Sequence, residues 1–269
     1  MTEKIAIVGV GAMGGAIAKG LYNTKQYQLL GLNPVNPRVT QLAEDLEMTV
    51  VNDPAALVNL APGLVILTTP APLTVATARS LANLPTTTPV VSAAAGITQE
   101  QLQAVLGDRP LATMIPNTPV AVNAGAIGLA LPQEMVEPAG TLIKEVLGSL
   151  GTVIEVKEAD LDVVGVIGGC GPAFVDVMMD ALSDGAVKHG LNRQVAYQVI
   201  AAMVAGTGKL ALETGLAPAL LRDQVASPGG TTIRGIDALE QHGFRAGLIE
   251  AVDQASGGHY VDQAPTPGR

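Results

Sequence analysis

The sequence predicts a chain in two parts: an α/β domain with a doubly wound, mostly parallel sheet over residues 1–157, and an all-helical domain over 158–269. Three observations carry that prediction. From Lys4 to about Lys157, short β-rich apolar runs alternate with helical stretches, the pattern of a parallel sheet covered by crossover helices. After Ala159 the strand runs cease and the pattern becomes helices with readable ends. Between the first strand and the first helix stands a glycine pattern with a specific chemical use.

Taken in order, residues 5–8 form the first apolar strand, and Gly9-Val10-Gly11-Ala12-Met13-Gly14 follows at once, opening a helical run through Ala16, Ile17, Ala18 and Leu21. In this context each glycine has a physical reason. Gly9 permits the tight turn, Gly11 brings backbone close to a pyrophosphate, and Gly14 lets the helix pack on the strand, while the helix N-terminus faces the negative charge. Gly9, Gly11, Ala12, Met13 and Gly14 are therefore candidate dinucleotide contacts in a Rossmann domain. Further strands are expected at 28–32, 64–67, 90–92, 126–131 and 153–156, and Thr98 with Gln101 has the capping-box form that opens a helix.

In the second half, Pro172 reads as a first-turn residue and Gly190 as a stop; Asn192 reads as the next N-cap and Gly215 as its stop, with Pro218 beyond. Two helices are apolar nearly all round, through Phe174, Val175, Val177, Met178, Met179, Ala181 and Leu182, and through Val199, Ile200, Met203, Val204 and Leu210. Such helices must be buried on every side, and a domain this small cannot surround both, so a homodimer through the helical domain is expected. The tail from Gly257 is rich in Gly, Pro and polar residues and is expected to fray.

Bulk properties narrow the function. With 269 residues, 48 % hydrophobic and 14 % charged, the chain has ample material for a core. Aromatic residues at 2 % and a net charge of -9 oppose nucleic-acid binding. The mean hydropathy of +0.37 raises a membrane, but the apolar stretches are cut by Gly, Pro or charge before the ~18 residues of a span, the nearest case, 163–175, ending at Asp176. Met1-Thr2-Glu3-Lys4 shows no export signal, and Cys170, the single cysteine, forms no intrachain disulfide, so a cytoplasmic location is expected.

An NAD site usually carries Asp or Glu about twenty residues beyond the glycines, to bind the ribose 2′-hydroxyl. Here Asn33 stands there, with Arg38 shortly after. Asn does not repel a 2′-phosphate and Arg38 is able to pair with it, which favours NADPH, with NADH as the alternative.

The segment Val225-Ala226-Ser227-Pro228-Gly229-Gly230-Thr231-Thr232-Ile233 is a glycine turn with hydroxyls leading into a helix that ends near His242-Gly243. Backbone N–H groups, the positive end of a helix dipole and hydroxyls together suit a small carboxylate; the plain alternative is a connection with Thr231 or Thr232 as N-cap. This run resembles the signature of pyrroline-5-carboxylate reductases, with Leu239-Glu240 at its expected place. Matching stretches are Ser92 to Thr98, Pro116-Asn117-Thr118-Pro119, Gly168 to Ala173 and Asp184 to Leu191, in family order across nearly the whole chain.

The resemblance implies a Rossmann domain, a helical dimerisation domain and reduction of 1-pyrroline-5-carboxylate to L-proline, with the Ser-Pro-Gly-Gly loop of one subunit closing the active site of the other. By motif, Ser227, Gly229 and the backbone at Gly230 and Thr231 hold the carboxylate, and Thr232 hydrogen-bonds the ring nitrogen. Asn52, Thr68, Thr69, Pro70, Ala95 and Gly96 line the cofactor, with Asn117 nearby. Two positions depart from the family: Thr69 stands where Lys is common, and Thr113 where Arg is common, so weaker or altered nucleotide affinity is expected.

Other chemistry has little support. His189, His242 and His259 are isolated helix-end or surface residues, Cys170 is a small residue at a helix start, no metal-ligand set is visible, and Asp176, Asp180 and Asp184 form a helical stripe. Rival readings are a β-hydroxyacid dehydrogenase using Lys209 as acid, and a nucleotide-binding regulator without catalysis.

Overall fold

A computed structural model describes residues 2–135 and 137–257. The tail beyond Gly257, including His259, lies outside the described residues. The chain divides into two compact units on either side of the Gly169–Cys170 bond.

The first unit holds an eight-stranded sheet. Its strands are β1 (Glu3–Val8), β2 (Tyr27–Leu32), β3 (Thr49–Val51), β4 (Leu64–Leu67), β5 (Val90–Ser92), β6 (Leu111–Ile115), β7 (Gly125–Ala130) and β8 (Gly151–Glu155). Helices α1 (Ala12–Thr24), α2 (Pro37–Asp45), α3 (Pro54–Asn59), α4 (Ala71–Ser80), α5 (Gln99–Leu106) and α6 (Ala139–Gly148) connect them. The spatial order is β3-β2-β1-β4-β5-β6-β7-β8, so the winding reverses between β1 and β4. Strands β1 to β6 run parallel, β7 runs antiparallel to β6, and β8 runs parallel to β7. Two strands, β3 and β6, were not among those expected from sequence. The first is a three-residue edge strand with no alternation to read, and the second has Ala112, Thr113 and Met114 at its centre, a weak β pattern.

Strand β1 shows why the sheet is stable. Ile5 and Ile7 point to one face and join Ile17, Leu21, Ile143, Val146 and Leu147 beneath α1 and α6. Ala6 and Val8 point to the other and join Leu57, Ala78, Leu102 and Leu106 beneath α3, α4 and α5. The period of two thus feeds both cores, and each large side chain buried this way contributes about 1.5–3 kcal/mol.

Helix α7 (Leu161–Gly165) still belongs to the first unit, with Leu161 and Val164 lying over Gly128 of β7. It continues through a π-helical turn, Val166–Cys170, into α8 (Gly171–Lys188). Pro172 falls in the first turn of α8, as expected, directly after the π-helical turn. Having no N–H to give Gly168 and a ring that crowds that carbonyl, it accounts for the widened turn just before it.

The second unit adds α9 (Arg193–Thr214), α10 (Pro218–Val225), α11 (Thr231–Gln241) and α12 (Phe244–Ala255). Asn192 caps α9, its side-chain oxygen accepting from the Gln194 and Val195 N–H groups, and left-handed Gly215 ends it. Val177, Leu182, Val199, Met203, Leu210 and Leu212 are exposed in the single chain. By length and composition the runs Glu158–Lys188 and Arg193–Thr214 both reach what a membrane crossing needs. That corrects the expectation that every apolar stretch is too short: isolated charges such as Asp176 interrupt the sequence without lowering the mean hydropathy of the helix enough.

Candidate functional site

Register places the first half of the site. Val8 pairs with Leu32 on one side and with Leu67 on the other, so β1, β2 and β4 end flush, and Gly9, Asn33 and Thr68 emerge side by side at the switch point. Crevices at such reversals, at the carboxyl ends of the strands, are where open α/β sheets bind ligands.

Gly9 turns with φ +94°, a left-handed value, and a side chain there would meet Thr69 at 2.9 Å. At Gly14 an added Cβ would collide with the Gly9 carbonyl and approach the Thr68 Oγ1 to 2.6 Å. The turn is braced from outside: the Thr68 hydroxyl donates to the Gly9 carbonyl at 2.7 Å, and the Val10 N–H donates to Asn33 Oδ1 at 2.9 Å. Gly11 differs, because nothing lies within 4 Å of where its Cβ would be. It is the N-cap of α1 and no side chain caps that end. An exposed backbone, open space and unsatisfied helix N–H groups form a cradle that fits a dinucleotide pyrophosphate. Ala12 is exposed beside it and Met13 half-buried, packed against the core.

Asn33 spends its amide on the protein itself, accepting from Val10 and donating to the Pro34 carbonyl at 2.8 Å. Asn36 caps α2, accepting from the Arg38 N–H at 2.9 Å, which leaves Arg38 exposed on the first helical turn. Among the described residues its guanidinium has no ion-pair partner. Asn33, Asn36, Val39 and Asn52 line an open cleft of about 660 Å³ between α2 and the edge strand β3.

On the other side of the switch point, the Thr69 and Thr74 hydroxyls lie 2.9 Å apart, and Thr74 is fully buried. Pro70 precedes α4. Ala95 and Gly96 are exposed in the loop between β5 and α5, and Gly96 has φ +73°. Thr98 and Gln101 close the expected capping box at the start of α5. Asn117 is buried, and its Oδ1 accepts from the Ala126 N–H at 2.9 Å, which ties the turn after β6 to β7. Thr113 is buried too, and its hydroxyl donates to Glu158 Oε1 at 3.2 Å. Neither Glu158 nor its second partner Gln99 was singled out from sequence. They lie 59 residues apart, and no local pattern links them.

In the second unit, Gly230 is the N-cap of α11, and no side chain caps that helix. Neither Thr231 nor Thr232 is therefore the N-cap, because the chain enters the helix one residue earlier than that alternative required. The Ser227 carbonyl accepts from the Gly230 N–H at 3.0 Å, Ser227 Oγ lies over the Gly230 α-carbon, and Arg234 Nη1 reaches the Gly229 carbonyl at 3.1 Å. Ser227, Thr231 and Thr232 make no side-chain hydrogen bond among the described residues. His189 and His242 are the C-caps of α8 and α11. Lys209 is exposed on α9 and faces Glu213 at 3.7 Å.

A doubly wound sheet with an uncapped glycine turn at its switch point, joined to a helical unit, defines the two-domain dinucleotide-dependent oxidoreductases. Comparison with known proteins narrows this. Residues 158–258 match the family model for pyrroline-5-carboxylate reductase dimerisation, and residues 4–96 match that for NADP oxidoreductases, coenzyme F420-dependent. Pyrroline-5-carboxylate reductase from Synechocystis sp. is 36 % identical over 95 % of this chain and 96 % of its own. A structure of the Coxiella burnetii pyrroline-5-carboxylate reductase is 27 % identical and superposes with a TM-score of 0.82 over 96 % of this chain and 97 % of that one. The Plasmodium falciparum pyrroline carboxylate reductase, solved with NADP bound, shares the fold at 22 % identity, with a TM-score of 0.80 over 95 % of this chain and 96 % of that one. The chain belongs to the pyrroline-5-carboxylate reductase family.

Proposed function

We propose that this protein reduces 1-pyrroline-5-carboxylate to L-proline, with NADPH as the preferred nicotinamide cofactor. The observation that carries the reading is the Ser227–Thr232 turn. It presents an uncapped helix N-terminus with the hydroxyls of Ser227, Thr231 and Thr232 unpaired among the described residues, a donor set for one carboxylate and one ring nitrogen.

In this reading the Gly9–Gly14 turn holds the pyrophosphate, Arg38 meets the 2′-phosphate, and Asn52, Thr68, Thr69, Pro70, Ala95, Gly96 and Asn117 shape the rest of the cofactor site. A bound nicotinamide supplies the hydride. The protein's own work is placement. Ser227 and the backbone at Gly230 and Thr231, with the Thr231 N–H as the free donor, fix the carboxylate, which orients the imine carbon. The substrate arrives with its nitrogen protonated, the carbon accepts the hydride, and the C=N π pair stays on nitrogen as the lone pair of a neutral amine. Thr232 donates to that lone pair as it forms. Such a scheme needs no strong acid.

The apolar faces of α8 and α9 pack on a second copy of the chain instead of entering lipid, and the enzyme acts in the cytoplasm. Family membership of the helical unit supports the first statement. NADPH and NADH oxidation with DL-pyrroline-5-carboxylate, compared with a Thr232→Ala variant, tests the reaction. Imine-dependent oxidation, faster with NADPH and reduced in the variant, is expected. No turnover with either nucleotide, despite binding, would overturn the proposal.

A further inference from the structure

We infer that Glu158 is a positioning residue for the cofactor, acting through the loop that carries Ala95 and Gly96. The inference rests on the reading that this loop lines the cofactor. Its basis is a three-residue network on the first unit. Glu158 Oε1 accepts from the backbone N–H of Gln99, the first residue of α5, at 2.7 Å, and from the Thr113 hydroxyl at 3.2 Å. Gln99 in turn donates through Nε2 to Thr113 Oγ1 at 3.1 Å and to the Ala130 carbonyl at 2.9 Å.

The consequence is that α5 is capped twice, by different parts of the chain. Thr98 takes the Gln101 N–H from within the loop. Glu158, from the short turn after β8, takes the Gln99 N–H and does so with a full negative charge at the positive end of the helix. Six residues, 93 to 98, join the flush end of β5 at Ser92 to this double cap. Inside that span, Ala93 N–H is held to the Leu67 carbonyl at 2.8 Å. Ala95 and Gly96 stand exposed between the two anchors, so the position of Glu158 sets where their backbone lies. A cleft of about 380 Å³, lined by Gly96, Thr98, Thr113 and Glu158 among others, opens beside them. Thr113 is buried and its hydroxyl is committed to this network, which gives a physical role to a residue that departs from the family pattern.

The test is steady-state kinetics of the full-length enzyme carrying Glu158→Ala, Glu158→Gln or Gly96→Ala, with the melting temperature of each. Loss of a charged acceptor from two donors predicts that Glu158→Ala raises the KM for NADPH about tenfold, with kcat and the KM for the imine within about twofold of wild type. Glu158→Gln keeps an acceptor oxygen at the same reach and is expected to restore the NADPH KM to within about threefold of wild type. Should the Ala variant not fold, Glu158→Asp, one methylene short, replaces it and is expected to raise that KM partway. The inference is overturned if NADPH KM stays unchanged in Glu158→Ala while Gly96→Ala raises it, or if Gln is as impaired as Ala. If neither Glu158→Ala nor Gly96→Ala moves that KM, the loop does not line the cofactor, and the reading beneath the inference fails with it.

Discussion

Replacing Gly11 by Ala separates binding from folding in the glycine turn. The residue has extended backbone, φ -84° and ψ -151°, and no atom lies within 4 Å of the new methyl group. The free protein should therefore tolerate it, with a stability change within about 0.5 kcal/mol, or about 1–2 °C in Tm. On the proposed cofactor placement the cofactor should not, because the methyl would occupy the space through which the pyrophosphate reaches the α1 N-terminus. Losing one charge-assisted hydrogen bond costs about 1.5–3 kcal/mol, a ten- to hundredfold rise in Kd. Gly14→Ala is the contrast: its methyl meets the Gly9 carbonyl and Thr68 Oγ1. Overpacking plus a broken hydrogen bond gives about 2–4 kcal/mol, or about 4–16 °C in Tm. The assay is NADPH fluorescence titration beside thermal unfolding, and the absence of Trp leaves nicotinamide emission uncluttered. A Gly11→Ala protein that melts many degrees lower, or that binds NADPH within twofold of wild type, would refute the reasoning.

Three further outcomes follow from the same geometry. Arg38→Ala is expected to raise the KM for NADPH about tenfold and leave that for NADH unchanged, since only the former has a 2′-phosphate to lose; equal effects on both nucleotides would remove Arg38 from the site. Met203→Asp, on an exposed apolar helix face, should dissociate the assembly on size-exclusion chromatography, because a carboxylate buried between subunits lacks a partner. Arg245, 2.6 Å from Glu240, holds that carboxyl below its usual range through a hydrogen bond first and charge second. A depressed carboxyl stabilises the folded state above the unfolded Glu value of about 4.3 and loses that contribution as pH falls through its lower folded value. Arg245→Ala should then lower Tm slightly at pH 7, and the gap to wild type should close on acidification; the pair is exposed, so the effect is small.

What the sequence made legible was what a local pattern records. The strand, glycine turn and helix at 5–21, the capping box at Thr98 and the Asn192 cap each depend on neighbours within a few residues. The short edge strand β3 and the weakly patterned β6 escaped because pairing partners, not their own residues, make them strands. The start of α11 at Thr231 was ambiguous for a related reason: Ser, Gly and Thr all serve as caps, and only backbone geometry decides among them. The Glu158–Gln99–Thr113 network joins three distant segments and has no sequence signature at all.

The two departures from the family pattern have different physical weight. Thr113 is embedded in that network, so restoring a cation there would disturb α5. Thr69 is freer: besides the contact with Thr69 Oγ1, the Thr74 hydroxyl has the Thr69 and Pro70 carbonyls within 3.1 Å, so it stays satisfied if the Thr69 hydroxyl is removed. Thr69→Lys should therefore fold, and its ammonium adds a positive charge beside Gly9 at the proposed phosphate cradle. At low ionic strength the KM for NADPH should fall about two- to fivefold, in line with the about 0.4 to 1 kcal/mol that a partly exposed charge pair supplies. In 1 M salt, where screening acts within about 3 Å, the gain should vanish. No gain at low salt would mean that the phosphates lie away from Thr69 and that its replacement of Lys is neutral for binding.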